Sequence, residues 1–165
     1  MAIEFDVKGH TVFVDEIDSD LITLNWHYHK SSNETQGYIR INRWVNGKKS
    51  KCVTKSLHRT VYERIAGRPL LTSERVDHKD GNPLNNQRSN LRLATASQNS
   101  ANRAKAKNNT TGYKGVYRHK NNWWRAIIQV QGEAIHLGLF RTPEEAHEAY
   151  KQAAVKYFGE FARFK

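Results

Sequence analysis

Three side chains in the middle of the chain could act together on a phosphate ester. Asp77 and His78 are adjacent, and Asn99 follows further along the chain. A histidine can move a proton near neutral pH, and carboxylate and carboxamide oxygens are donors that hard cations such as Mg²⁺ prefer. Phosphodiester hydrolysis needs an activated water, neutralised phosphoryl charge and a stabilised leaving oxygen, which one histidine and one cation can supply. By itself, however, the Asp-His pair also fits ordinary polar residues at the end of a strand.

The residues around these three form a longer pattern, VDHKDGNPLNNQRSNLRLATASQNSANR. This run closely resembles the HNH homing endonucleases of phage introns, which carry a ββα-metal nuclease motif. The resemblance implies that His78 is the general base and that Asp77 and Asn99 hold one Mg²⁺ or Mn²⁺. It also implies that Asn90 braces the hairpin and orients the histidine. Asn99 stands where other members have a histidine, and its carboxamide oxygen favours Mg²⁺ or Mn²⁺ over softer ions.

The geometry of a strand places a condition on this site. Neighbouring residues on a regular strand point to opposite faces, so Asp77 and His78 can converge only where the strand ends or bulges. The turn at residues 79–82 permits such an end. We expect four short polar side chains of the loop to stabilise the turn rather than bind metal, namely Asp80, Asn82, Asn85 and Asn86.

The segment before this motif has the signals of a small antiparallel sheet and one helix. Strand-forming residues occur at 10–14, 21–26, 38–45 and 51–54, and Asn46-Gly47 suits a tight hairpin. Leu57, Val61 and Ile65 recur at helical spacing and predict a helix over about 57–66. At its start, His58 and Arg59 could contact a phosphate, although a solvated or capping histidine fits equally well.

The motif itself predicts a strand, a polar loop, a second strand and a helix entered through Thr95. Residues 95–98 have the form of a capping box. The basic, apolar-poor stretch after the helix predicts a linker at 105–111. The predicted domains are therefore 1–104, with a ββα core at about 74–104, and 112–165, in a chain of the α+β class.

The segment 112–165 predicts three strands, at 114–119, 123–131 and 133–140, and a final helix. Thr142 is the expected N-cap, Pro143 the first helical residue and Gly159 the stop. The run GYKGVYRHKNNWWRAIIQVQGEAIHLGLFRTPEEAHEAYKQAAVKYFGEFARF resembles the AP2 domain, which implies a three-stranded antiparallel sheet placed in the DNA major groove with one helix behind it. Several residues with which the plant AP2 transcription factors read DNA bases are replaced here, so the resemblance does not imply their target site.

Alternation along the second strand predicts which side of the sheet meets DNA. Trp124, Ala126 and Ile128 should face the helix, and Arg125 and Gln129 the opposite side. Arg125 could read a guanine edge or contact a phosphate, and Trp123 could equally pack at the sheet edge. The predicted DNA-binding residues of the whole chain are Arg92, Arg103, Lys105, Lys107, Lys114, Tyr117, Arg118, His119, Lys120, Trp123, Arg125, Gln129 and His136.

Charge and cysteine content favour a nucleic-acid partner. The formal net charge is +11, and no carboxylate occurs between Asp80 and Glu133. Nucleic acid fits this polar, basic stretch better than a membrane surface does, and a basic surface kept for solubility is the plain alternative. The single Cys52 excludes an internal disulfide and a cysteine-rich structural zinc site. The acidic N-terminus lacks a signal peptide's pattern and favours the cytoplasm of a host cell that carries a phage or mobile element, not secretion.

The leading hypothesis from sequence is a site-directed, divalent-metal-dependent DNA endonuclease that acts on double-stranded DNA. The alternative is a catalytically silent DNA-binding regulator that uses the AP2-like sheet. An RNA-binding protein is the third reading, and the missing aromatic signature of RNA-recognition sheets weighs against it. We expect a monomer or weak dimer with no obligatory protein partner.

Overall fold

The computed structural model describes residues 1–30, 37–44, 52–106 and 108–164, and it divides the chain into two compact units. The first unit is Met1–Leu93 and the second is Ala94–Lys165. The predicted Asn46-Gly47 hairpin and the predicted DNA contact Lys107 lie outside the described residues. The boundary between the units, at Leu93 and Ala94, lies before the linker predicted at 105–111. The domain limits given by the sequence stay a prediction.

The first unit contains two small antiparallel sheets, one helix and a hairpin. Strands β1 (Ala2–Asp6) and β2 (Thr11–Asp15) pair with each other. A three-stranded antiparallel sheet has the order β3 (His27–His29), β4 (Tyr38–Trp44) and β5 (Cys52–Ser56). Helix α1 (Leu57–Ala66) follows β5 directly, and β6 (Arg75–His78) pairs with β7 (Leu91–Ala94). The mixed α+β class and the predicted helix at about 57–66 are confirmed.

One predicted strand is wrong. Residues 21–26 do not form a strand; a 3₁₀ helix runs over Glu16–Thr23, and β3 begins only at His27. Leu21 and Trp26 are both buried, and the Trp26 indole N–H donates to the Leu21 carbonyl at 2.7 Å, which closes a local turn.

The core of the first unit joins all of its elements. The buried residues are Val7, Val12, Val14, Leu21, Trp26, Ile39, Leu57, Val61 and Leu91. They come from the β1–β2 hairpin, the 3₁₀ helix, the three-stranded sheet, α1 and β7. Full burial of each aliphatic side chain contributes about 1.5–3 kcal/mol, so the hairpin before the motif and the motif itself depend on the same core.

A buried carboxylate ties the 3₁₀ helix to two arginines of the first unit. Asp18 is fully buried and accepts from Arg88 Nε at 2.7 Å and from Arg64 Nη1 at 3.2 Å. Asp15, at the end of β2, accepts from the Arg88 backbone N–H at 2.7 Å. Arg64 belongs to α1 and Arg88 to the loop between β6 and β7, so these ion pairs fix both against the N-terminal segment.

The second unit is a three-stranded sheet with one long helix and one short helix. Helix α2 (Ala96–Ala101) precedes β8 (Val116–Arg118), β9 (Trp124–Val130) and β10 (Glu133–Phe140). The antiparallel sheet has the order β10-β9-β8, and α3 (Pro143–Phe158) packs on it. The predicted capping box at Thr95 and the predicted N-cap at Thr142 are both present, and Thr142 also forms a capping box with Glu145. The predicted β9–β10 turn is confirmed by positive φ angles at Gln131 and Gly132.

Replacement of Asp18 by asparagine should lower the free energy of unfolding by about 2–3 kcal/mol, because it leaves two arginines without their shared carboxylate. We place the loss below that of a fully buried pair because the two guanidinium side chains are about a third exposed. Urea unfolding measures the difference, with the exposed Glu4→Gln variant as the matched control. Equal stability of the two variants would remove Asp18 from its structural role.

Candidate functional site

Asp77 and His78 lie at the C-terminal end of β6, where the strand stops. Their exposed fractions are 4% and 5%. The Gly81 N–H donates to the His78 carbonyl at 2.8 Å and begins the turn, and the Lys79 N–H donates to the Asn90 carbonyl at 2.9 Å. The strand end that the sequence requires at His78 is therefore present.

The loop between β6 and β7 is held by its own short polar side chains. Asp80 Oδ1 accepts from the Asn82 N–H at 2.7 Å, and Asn82 Oδ1 accepts from the Leu84 N–H at 3.1 Å. The Asn85 side chain donates to Asp80 Oδ2 at 2.8 Å. These contacts are the turn-stabilising contacts expected of such residues.

Asn86 is the loop residue whose side chain reaches the imidazole. It is fully buried, and its amide nitrogen donates to the Leu84 carbonyl at 3.0 Å and to the Pro83 carbonyl at 3.5 Å. Its oxygen therefore faces His78 Nε2, at 3.5 Å, the long limit of a hydrogen bond. A carboxamide oxygen only accepts, so this contact is a hydrogen bond only in a form of the ring that carries a proton on Nε2.

Asn90 braces the loop through both ends of its carboxamide. Its oxygen accepts from the Asp80 N–H at 3.1 Å, and its nitrogen donates to Asp80 Oδ1 at 3.0 Å and to the Asn85 carbonyl at 2.8 Å. These bonds are those of a hairpin brace. Its orientation of the histidine stays a prediction, and sequence reasoning placed Asn86 in the turn without its contact to the ring.

Asp77 is paired with an arginine that the sequence assigned to DNA. Arg92 Nε donates to Asp77 Oδ2 at 2.9 Å, and the two side chains are 10% and 5% exposed. Arg92 lies on β7, the strand that pairs with β6, so the hairpin itself brings the two charges together. The guanidinium neutralises Asp77, a use that the sequence pattern did not indicate.

Two further rings pack around His78. The His58 and His78 ring centroids are 5.1 Å apart in an edge-to-face arrangement, and Tyr38 lies 5.4 Å from His58 and 6.3 Å from His78. His58 Nδ1 is closed off from solvent and has no hydrogen-bond partner among the described residues. Burial lowers the pKa of His58 to about 3, and burial also lowers the pKa of His78. Burial thus disfavours the charged form of both rings.

At the start of α1, where a phosphate contact was one of two possibilities, the Arg59 side chain binds the protein itself. The Arg59 guanidinium donates to the carbonyls of Leu70, Leu71 and Glu74, at 2.6, 2.7 and 3.0 Å. It thereby fixes the chain that leads into β6, and this use of Arg59 is structural. His58, the other residue considered at the helix start, packs against His78.

Asn99 belongs to the second compact unit. It lies on α2 and is half-buried, and its N–H donates to the Thr95 carbonyl at 2.9 Å. The first unit thus brings together Asp77, His78 and Asn90, while Asn99 is positioned by the second. In the part of the chain that the structure describes, no group of three or more His, Cys, Asp or Glu side chains could hold a metal ion.

The outer face of the second unit's sheet carries several of the predicted DNA-binding side chains. Ala126 and Ile128 are buried against α3, which confirms the predicted inner face. On the other face, Tyr117 pairs across the strands with Arg125, and Arg125 with Leu139. Arg125 Nε is closed off from solvent with no partner among the described residues.

Some of the remaining predicted DNA-binding side chains have partners within the protein, and most of them are exposed. Trp123 is covered by the Arg141 guanidinium, 3.8 Å from its ring centroid. The Lys105 and Lys114 amines bind backbone carbonyls, at Gly112 for the former and at three positions for the latter. The exposed ones are Arg103, Lys105, Tyr117, Arg118, His119, Lys120, Gln129 and His136.

Comparisons with known proteins agree with the sequence pattern. A family profile described as HNH endonuclease matches residues 55–101. The chain is 36% identical over 125 residues to the Uncharacterized HNH endonuclease L560 of Acanthamoeba polyphaga mimivirus, which covers 73% of this chain and 65% of that protein. The chain therefore spans just under two thirds of this relative's length.

Two further relatives match different parts. Protein 3.8 of Escherichia phage T7 is 33% identical over 119 residues, which are 66% of this chain and 88% of that protein. An AP2/ERF and B3 domain-containing transcription factor of Arabidopsis thaliana, At1g51120, is 41% identical over 51 residues, or 31% of this chain and 14% of that protein. Among the described residues, no helix has the length and apolar character needed to cross a membrane.

Replacement of Arg92 by methionine should lower the free energy of unfolding by about 3 kcal/mol, because it leaves the Asp77 carboxylate buried without its cation. The double variant Arg92→Met/Asp77→Asn should recover part of this loss, since the orphaned charge is gone. Urea unfolding measures the stability of the single and the double variant. The exposed Arg75→Met variant is the control for a lost surface charge. A double variant no more stable than Arg92→Met would contradict the pairing.

Proposed function

The chain belongs to the HNH endonuclease family, and we propose that it is a site-directed DNA endonuclease that uses a divalent cation to hydrolyse phosphodiester bonds. The observation that carries the proposal is the buried end of β6, where Asp77 and His78 meet a loop built to hold the imidazole. Family members generally use a divalent metal ion, and the choice of Mg²⁺ or Mn²⁺ for this chain is our proposal.

His78 is the general base in this proposal. The Asn86 oxygen can only accept, so its contact with Nε2 supports the tautomer in which Nε2 carries the proton, and we assign proton transfer from water to this imidazole. The two carbonyls that bind the Asn86 amide group prevent it from turning over. These contacts support a fixed orientation of the ring, and a positioned base contributes about 10²- to 10⁴-fold to the rate.

Asp77 and Asn99 would hold the cation. Their donor atoms are a carboxylate oxygen and a carboxamide oxygen, which suit Mg²⁺ or Mn²⁺ and not a soft ion. When bound, the cation would neutralise charge on the phosphate and stabilise the departing oxygen. Arg92 contributes a guanidinium on Asp77 Oδ2, so this carboxylate is held in one orientation by the protein itself.

The sheet of the second unit would hold double-stranded DNA. Its outer face combines Arg125 with Tyr117 and Leu139, which are 51% and 43% exposed, and the net charge of the chain is +11. Positive charge supplies the sequence-independent part of the binding energy, and contacts to base edges supply specificity. We place the protein in the cytoplasm of a cell that harbours a phage or mobile element, acting as a monomer or weak dimer.

The proposal is tested with supercoiled plasmid that carries the natural target. Incubation of the full chain with Mg²⁺ should convert the plasmid to nicked or linear DNA, and EDTA should abolish the conversion. Gel-resolved DNA binding under the same conditions distinguishes a nuclease from a silent regulator. Tight binding with no metal-dependent break would favour the regulator.

His78→Ala should reduce the single-turnover cleavage rate by at least about 100-fold, because the base is lost. The Kd for DNA should stay within about twofold, because positive charge elsewhere in the chain dominates affinity. The His29→Ala variant, which removes an exposed histidine of β3, serves as the matched control. Cleavage by His78→Ala at a rate near that of the control would exclude His78 as the base.

Arg125→Met should weaken binding to the cognate DNA site, and the salt dependence distinguishes the two contacts that the residue could make. A phosphate contact weakens binding to all sequences alike and lowers the salt slope by about one, whereas a guanine contact costs about 1–3 kcal/mol at one base pair only. Fluorescence titration on cognate and scrambled duplexes at several salt concentrations measures both. Unchanged affinity for every duplex would remove Arg125 from the interface.

A further inference from the structure

Helix α2, which carries Asn99, is built into the second unit at both ends and along one side. At its C-terminal end, Lys114 Nζ donates to the carbonyls of Ala101 at 2.5 Å, Arg103 at 2.7 Å and Arg163 at 3.1 Å. The ammonium thereby uses three donors, one on the last helical residue Ala101 and one on Arg103, just after the helix. A cation at this end also interacts favourably with the partial negative charge of the helix terminus.

The first turn of α2 and its apolar side have separate contacts. Ser97 Oγ accepts from the Gln131 N–H at 2.9 Å, and Gln131 lies in the β9–β10 turn. Ala94 and Ala101 belong to the same buried cluster as Ile128, Tyr150 and Phe161. Helices as short as six residues are not stable alone in water, so α2 requires these contacts to persist.

The segment after α2 is also bound to the second unit. Lys105 Nζ donates to the Gly112 carbonyl at 3.0 Å, and the Thr111 hydroxyl donates to the Val116 carbonyl at 3.1 Å. The Asn109 side chain donates to the Tyr113 carbonyl at 2.9 Å. The chain between α2 and β8 is thereby tied to the start of the sheet, and it keeps the helix close to Lys114.

We propose that the AP2-like unit is part of the nuclease as well as its DNA grip, because it holds Asn99 in place, and that Lys114 is the positioning residue which fixes the helix. Lys114 thus acts through Asn99 and not through a phosphate. The expected effect on cleavage rests on the proposed function. The packing of α2 onto the second unit does not, because it follows from contacts within that unit alone.

The first experiment measures the helix directly and needs neither metal nor DNA. Amide hydrogen exchange of the full chain, followed over residues 96–104, should be about 10-fold faster in Lys114→Met than in wild type, because a charged donor to two carbonyls is lost. Lys156→Met removes an exposed lysine of α3 and should leave exchange unchanged. Equal protection in Lys114→Met and Lys156→Met would overturn the proposal.

The second experiment measures the consequence for cleavage. At saturating DNA, Lys114→Met should cut about 10- to 100-fold more slowly, since a small displacement of a catalytic group has effects of this size, with Kd for DNA within about twofold. In an Asn99→Ala background the same substitution should change the rate less than about twofold, because both act through one side chain. The alternative is that Lys114 contacts a phosphate. In that case Lys114→Met would raise the Kd for DNA, lower the salt slope by about one and leave cleavage at saturating DNA unchanged.

A milder substitution keeps the proposal testable if Lys114→Met unfolds the second unit. Ser97→Ala removes one contact at the other end of α2, and it should speed exchange over residues 96–104 with unchanged circular dichroism.

If wild type fails to cut its target, the proposed function and the catalytic part of this inference fail together, and the exchange result still decides whether Lys114 holds the helix. Slower cleavage by Lys114→Met in the Asn99→Ala background, by the full 10-fold or more, would assign Lys114 a role independent of Asn99.

Discussion

The site of the first unit depends on a single carboxamide that cannot turn over. Asn86 has its nitrogen bound by the carbonyls of Leu84 and Pro83, so its oxygen is left to the imidazole of His78. The loop that contains it offers few apolar groups, and burial alone would not fix its shape. Hydrogen bonds from within the loop and from β2 do so instead. Orientation of the His78 ring thus follows from backbone bonding several residues away.

The N-terminal hairpin is the scaffold of that loop. Phe13 donates to the Leu84 carbonyl at 2.9 Å and accepts from the Asn86 N–H at 2.8 Å, in the manner of a short extra strand. Asp15 and Asp18 hold Arg88 at the far side of the same loop. Two backbone bonds and a buried ion pair therefore give a polar loop the rigidity that a packed core gives elsewhere. The N-terminal hairpin therefore has a structural role, which is to hold the loop of the motif.

Sequence patterns predicted most of the elements and part of the site. Capping residues and periodic apolar positions located α1, α3 and the sheet of the second unit, because these signals act over one or two turns or along one strand. The strand expected at 21–26 is replaced by the end of a 3₁₀ helix and a turn closed by the Trp26 indole on the Leu21 carbonyl, a contact that no alternation pattern reports. The pairing of Arg92 with Asp77 and the burial of Asn86 are tertiary effects. A basic residue beside a nuclease motif predicts a DNA contact, and in the structure Arg92 is paired with Asp77 on the neighbouring strand.

The family region at 55–101 is too small to form a core of its own. Leu57, Val61 and Leu91 are buried with side chains of the N-terminal hairpin, and Ala94 and Ala101 are buried with the sheet and α3 of the second unit. Each part of the motif therefore takes its stability from a neighbouring segment, which is the usual solution for a module below the size of an independent domain. Such a motif can be carried between proteins only with segments that supply equivalent cores. The sequence on both sides of the motif is thus constrained by packing, in addition to any role in binding DNA.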